Sequence, residues 1–176
     1  MGSGAEYVSV GIVVERRAIA NRWRPWRWQA VEIVPDLPGG IAWRLLMQGE
    51  GWVRYAAADI MLELHPKQTE DYKYALSADP PQLYVVLRAA QQEPVPYQPF
   101  LVTASPWEAQ AYQEPGDDLV EALPMPVALT VWIGAFVDRH DVEQPFYKRR
   151  RKGLDKLAGE GSDFVRLGAG RADDRN

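Results

Sequence analysis

Cysteine is absent from the 176-residue chain. Its absence excludes disulfides, thiol nucleophiles, zinc ribbons and cysteine-ligated iron–sulfur clusters. Histidine is scarce, with His65 and His140 alone. No apolar run is long enough to span a bilayer; the longest, Val127 to Val137, falls well short. The opening MGSGAEYVSVGIVVERR has no positive charge ahead of its apolar run, and Glu15 interrupts that run early, so no secretory leader is read. No Walker loop, dinucleotide fingerprint, zincin helix or calcium loop occurs. The expectation is a cytoplasmic protein with no membrane segment and no cofactor.

What is present is ordinary for a folded domain: 47% apolar and 25% charged residues. Fourteen prolines point to many turns and irregular connections. The net charge of −4 hides an asymmetry. From Tyr147 onward there are nine Lys/Arg against five Asp/Glu, which leaves 11 basic and 19 acidic residues in the preceding body. An acidic body argues against a broad nucleic-acid surface, because phosphate neutralisation needs clustered Lys and Arg.

The first two thirds carry strand patterns. Val8, Val10, Ile12 and Val14 alternate with Ser9, Gly11, Val13 and Glu15. Further strands are read at Trp26–Val34, Trp43–Gln48, Trp52–Ala57 and Leu62–His65, and another where Tyr72, Tyr74 and Leu76 share a face. Leu83–Arg88 is nearly all apolar and predicts burial on both faces. Phe100–Thr103 and a brief Leu119–Leu123 follow. The last third changes period. Ser105 can cap, Pro106 fits the first helical position and Glu108 completes a capping box. Leu129, Trp132, Ile133, Phe136 and Val137 form the stripe of a packed helix.

The fold class read from this is α+β: a mainly antiparallel β-sheet or partly closed barrel of about seven to eight strands, with a short helix near 106–113 and a packed helix near 126–139. One domain is expected over 1–146. A basic segment and a disordered tail are expected over 147–176.

Candidate chemistry is sparse. Glu63 and His65 lie two apart on a strand and share a face, with Glu70 after a turn; a small metal-binding protein or enzyme using these three is the alternative to a solvated strand face. Asp138, His140 and Asp141 close the main helix, where a histidine meets the helix dipole favourably. Ser105 lacks the glycines of a nucleophile elbow, and capping accounts for it. No constellation specifies a reaction, and no catalytic residue is assigned.

Two stretches point to binding. Phe146 and Tyr147 precede the cations Lys148, Arg149, Arg150, Arg151 and Lys152. Such a run is either a solubilising end or an electrostatic hook for an anionic partner: an acidic protein face, a phosphate-bearing cofactor or nucleic acid. Salt screens such a hook over roughly 8 Å. The second stretch is Arg22-Trp23-Arg24-Pro25-Trp26-Arg27-Trp28. Trp26, Trp28, Ala30 and Glu32 alternate with Arg27, Gln29, Val31 and Ile33, so the strand is expected to meet structure on both faces. Burying one tryptophan is worth on the order of 4–6 kcal/mol as an upper bound. Trp23 and Trp26 are therefore either a packed strand entrance or an aromatic–cationic rim for a protein partner, with arginine stacked on indole.

Several short words together carry a resemblance: Val13-Val14-Glu15-Arg16-Arg17, Glu50-Gly51-Trp52, Leu62-Glu63-Leu64-His65, Tyr84-Val85-Val86-Leu87-Arg88, Val102-Thr103-Ala104-Ser105-Pro106 and Pro145-Phe146-Tyr147-Lys148-Arg149. By these the chain resembles an uncharacterised bacterial family, the domain of unknown function numbered 3305, from about Gly11 to Arg151. Pro25 and Trp26 depart from the family pattern, and the tail beyond Lys152 has no counterpart in it. Genes of that family commonly lie beside those of molybdenum-dependent formate dehydrogenases. The resemblance implies a non-enzymatic accessory protein for production, maturation or regulation of that enzyme. The expected partner is a dehydrogenase subunit, a maturation factor or the phosphate-bearing molybdenum cofactor.

Overall fold

A computed structural model describes residues 4–40, 42–91 and 95–141. Among them are seven strands and three α-helices: β1 (Glu6–Ala18), β2 (Trp26–Val34), β3 (Arg44–Gly49), β4 (Trp52–Leu64), α1 (Thr69–Ser77), β5 (Gln82–Ala89), β6 (Tyr97–Thr103), α2 (Pro106–Gln113), β7 (Leu119–Pro124) and α3 (Val127–His140). The class is α+β. Strands β2-β1-β4-β3 form one antiparallel sheet and β6-β5-β7 a second. The two sheets do not join into a closed barrel. Instead β4 packs beside β6 and β2 beside β7, so that both sheets enclose one core.

That core takes Val10, Ile12 and Val14 from β1, Leu62 and Leu64 from β4, and Leu83, Val85 and Leu87 from β5. One end is closed by helices: Leu129, Ile133, Phe136 and Val137 of α3 and Tyr72 of α1 are buried there. Tyr72 and Phe136 meet edge to face with ring centroids 6.0 Å apart. Strand β5 is the centre of its sheet, and Val86 on its opposite side is as buried as its three core residues, as the apolar run predicts.

Three sequence expectations are corrected. Tyr72, Tyr74 and Leu76 do not lie on a strand; they belong to α1. Tyr72, Ala75 and Leu76 are three and four residues apart and turn inward together, and the packing of α1 against α3 selects the helix. Trp52–Ala57 and Leu62–Leu64 are not separate strands but parts of the single strand β4, which stays paired with β1 past an extra bulged residue, Ala57, and ends before His65. In β2 the tryptophans do not oppose Ile33. Ile12 pairs with Ile33, Val14 with Ala30, Arg16 with Trp28 and Ala18 with Trp26, so all four β2 residues share one face. The bulge at Val31 shifts the phase by one residue and brings Trp28 round to the core side.

The predicted start of α2 is realised with one addition. Ser105 Oγ accepts the Glu108 N–H at 3.2 Å. The Glu108 carboxylate, however, accepts from the Thr103 hydroxyl, and Thr103 Oγ1 takes the Ser105 N–H at 3.0 Å. A third residue thus relays the capping box. Ser105 also donates to Asp71, tying α1 to α2.

Candidate functional site

The end of the first sheet opposite its helical closure collects charge of one sign. Strand β1 delivers Arg16 and Arg17, the loop to β2 delivers Arg22 and Arg24, and the second residue of β2 is Arg27. Register brings in one more from the other hairpin: Glu15 faces Arg54, Arg17 faces Trp52, and the Ala18 N–H donates to the Gly51 carbonyl at 2.7 Å. Arg44 begins the adjacent β3 further along the sheet, opposite Ala56. Seven of the 11 basic residues ahead of Tyr147 are therefore on these strands and turns, with Glu15, Glu50 and, across from Arg27, Glu121 among their acidic neighbours.

Local chemistry keeps this end ordered. In the β1–β2 loop Asn21 Oδ1 accepts the N–H groups of Trp23 and Arg24 at 2.9 and 3.1 Å. Ile19 N–H donates to the Pro25 carbonyl at 2.9 Å. This side-chain-to-backbone turn fixes the tip and holds Trp23 outward at 88% exposure. Trp26 is 42% exposed and lies under the Arg16 guanidinium, 4.3 Å from ring centroid to charge. Trp28 turns inward, stacked on Tyr55 at 6.3 Å and edge-on to Trp43 at 6.0 Å. The β3–β4 turn needs its glycines: Gly51 has φ +75°, and the Trp52 indole lies where a Cβ on Gly49 would be.

Glu15 sits beneath the surface at 2% exposure, held by Arg17 Nε at 2.8 Å and Arg54 Nε at 2.9 Å. Burial alone would push its carboxyl up, but the two guanidinium hydrogen bonds outweigh it and hold the pKa below the ordinary carboxylate value. Two arginines share one carboxylate, so positive charge remains. Among the described residues Arg22, Arg24 and Arg44 enter no ion pair.

The other candidates are placed as follows. Glu63 Oε1 and His65 Nε2 meet at 2.9 Å on the open face of β4. Tyr7 pairs across from Glu63, and its hydroxyl pKa is raised by the hydrogen bond it gives that carboxylate. Glu70 is not brought to them; it pairs with Lys73 at 3.0 Å. Asp141 also pairs with Lys73, Asp138 is exposed, and the His140 ring lies on Phe136 at 4.4 Å. Among the described residues no three His, Asp or Glu gather as metal ligands. Ser105 is buried and engaged as a cap. Phe146, Tyr147, Lys148, Arg149, Arg150, Arg151 and Lys152 lie outside the described residues, as does the expected tail.

Trp23 and Trp26 were candidates from sequence. Trp52 and Arg54 are not legible there, because only strand register brings them to the same end; Arg44 lies further along the sheet, opposite Ala56. The one signal for them was the turn word Glu50-Gly51-Trp52.

The fold and this end define an α+β protein of two antiparallel sheets with an arginine–tryptophan rim on an otherwise acidic body. No helix among the described residues is long and apolar enough to cross a membrane. The chain belongs to the family described as Protein of unknown function (DUF3305), whose model matches residues 9–150. No curated protein and no solved structure matches it.

Proposed function

We propose that the chain is a non-enzymatic partner-binding protein, and that the arginine–tryptophan end captures an acidic protein surface. The observation that carries this is the loop tip. A hydrogen-bonded turn holds Trp23 almost wholly in solvent between Arg22 and Arg24. A folded chain gains nothing internally from an ordered, unburied indole. A partner gains a preorganised anchor of the residue types that dominate binding hot spots. Clustered arginines in an acidic body steer and select a complementary acidic face. The resemblance to the family numbered 3305 supplies a context: an accessory role in formate dehydrogenase maturation or regulation, with a subunit or maturation factor as the partner. The basic run Lys148–Lys152 would add a second electrostatic contact.

The test is co-purification of tagged full-length chain from cells that make it, with dehydrogenase activity measured in parallel. Trp23→Ala and the double variant Arg22→Glu/Arg24→Glu should each weaken partner capture at least tenfold, and capture by the native chain should fall with added salt. Neutralising Lys148 to Lys152 measures the tail's share. Capture and activity untouched by all of these changes would remove the reading.

A further inference from the structure

We propose that β3 is a second contact element for the same partner: an apolar ridge that seats in an apolar cleft rimmed by Asp and Glu carboxylates. It rests on the reading of the chain as a partner-binding protein. Among the described residues strand β3 is the open edge of its sheet, hydrogen-bonded to β4 alone, whereas the opposite edge strand β2 packs beside β7. All six of its residues are exposed, and three consecutive ones are large and apolar: Leu45 at 51%, Leu46 at 45% and Met47 at 53%. Edge strands of soluble proteins are ordinarily guarded by lysine, proline or inward-pointing charge. Here none of these interrupts the apolar run.

The register gives the ridge its shape. Leu45 pairs with Tyr55 and Met47 with Arg54, so Leu46 is an extra, bulged residue. Without it Leu45 and Met47, two apart, would share a face. With it they project to opposite faces, and Leu46 lies on the edge between them. Apolar groups therefore wrap the edge. A ladder kinked in this way is a poor template for an added strand or for a second copy pairing edge to edge. A cleft that grips both faces fits it better.

Charge selects the cleft. Arg44 opens the strand. At its other half Met47 lies opposite Arg54, which with Arg17 flanks Glu15 and leaves positive charge over. The strand ends at Gly49, paired with Trp52, at the arginine end of the molecule. Three strand spacings, about 14 Å, separate β3 from the β2 side of that end. One partner surface of ordinary size spans that distance.

A photo-crosslinking residue placed at position 46 of the full chain, and separately at position 23, tests this in cells that make the protein. Mass spectrometry then reads the captured peptides. Position 46 should crosslink to the same protein as position 23, in a peptide where apolar residues are flanked by Asp or Glu. Leu46→Lys should leave the melting temperature unchanged and weaken capture roughly tenfold or more. Crosslinks from position 46 to another copy of this chain, to peptides without neighbouring carboxylates, or to nothing while position 23 still captures, would each overturn the ridge and spare the rim. Silence at both positions would overturn the partner-binding reading as well.

Discussion

Aromatic residues are used in opposite ways at the two ends of this molecule. At the helical end Tyr72 and Phe136 are fully buried, and the polar groups around them are satisfied: the Tyr72 hydroxyl accepts the His65 N–H and donates to Gln68, each at 2.9 Å. At the arginine end Trp23 remains in solvent, although its loop is just as well hydrogen-bonded, and Trp26 at the start of β2 stays partly exposed beneath Arg16. Order at the first end follows from packing. At the second it is imposed by backbone turns and leaves the side chains free. The difference separates residues that hold the fold from residues that are displayed by it, and it sets the order in which substitutions should be felt.

The largest effect belongs to Phe136→Ala, which should cost about 3–5 kcal/mol of unfolding free energy in a denaturant titration. The ring touches Tyr72 and His140 and has no solvent to relax into. A loss under about 1 kcal/mol would mean that the helical end does not hold the core, and the comparison would fail at its stronger side.

Tyr72→Phe should cost about 1–2 kcal/mol, because it strips a partner from the His65 N–H and from the Gln68 carbonyl. It also has a pH signature. Burial pushes the Tyr72 hydroxyl up from 10.0 to about 12, against the lowering hydrogen bond from the His65 backbone. The folded state favours the neutral phenol, so that contribution is whole below the ordinary value and is lost as pH rises toward about 12. Stability measured through the alkaline range should fall less steeply in Tyr72→Phe than in the native chain. Parallel curves would show that Tyr72 does not titrate against folding.

Glu15→Gln comes next, at about 1 kcal/mol at neutral pH. The figure is held down because both guanidinium groups can turn to water. Here the sign reverses. The folded-state pKa lies below the ordinary 4.5, so the stabilisation is present above that value and is lost as pH falls through the lowered one. The native chain should lose stability in acid more steeply than Glu15→Gln. Equal acid limbs would detach Glu15 from the ordering of the arginine end.

Much of the helical end is legible in the sequence, and much less of the arginine end. The run from Leu83 to Leu87 announces a buried strand because every side chain is apolar, and Ser105-Pro106 with Glu108 announces a helix start because each residue has a local role there. Helix α1 is missed because Tyr72, Tyr74 and Leu76 satisfy a period of two as well as a helical period; the contact with α3 decides, and it is far away in sequence. The inward turn of Trp28 is missed because the bulge at Val31 has no residue signature. The arginine cluster is half legible. Arg22, Arg24 and Arg27 are neighbours in the chain, whereas Arg54 joins them only through the pairing of β1 and β4, and Arg44 follows it further along the sheet through the pairing of β3. The exposure of Leu45, Leu46 and Met47 depends on strand order, which no local pattern specifies.

The smallest effect on stability and the sharpest test of the comparison are the same substitution. Trp23→Ala should change unfolding free energy by less than about 0.5 kcal/mol, as expected for a side chain that is 88% exposed. The turn that holds the tip runs through Asn21 and backbone N–H groups, and none of its hydrogen bonds uses the indole. Trp28→Ala, on the same short stretch, removes a ring stacked on Tyr55 and packed against the core, and should cost about 3 kcal/mol or more. Two tryptophans five residues apart, differing by that much in the same denaturant titration, would place the boundary between scaffold and display inside Arg22–Trp28. Near-equal losses would mean that Trp23 packs in solution after all. Its place as the anchor of a partner surface would then fall, whatever the arginines around it bind.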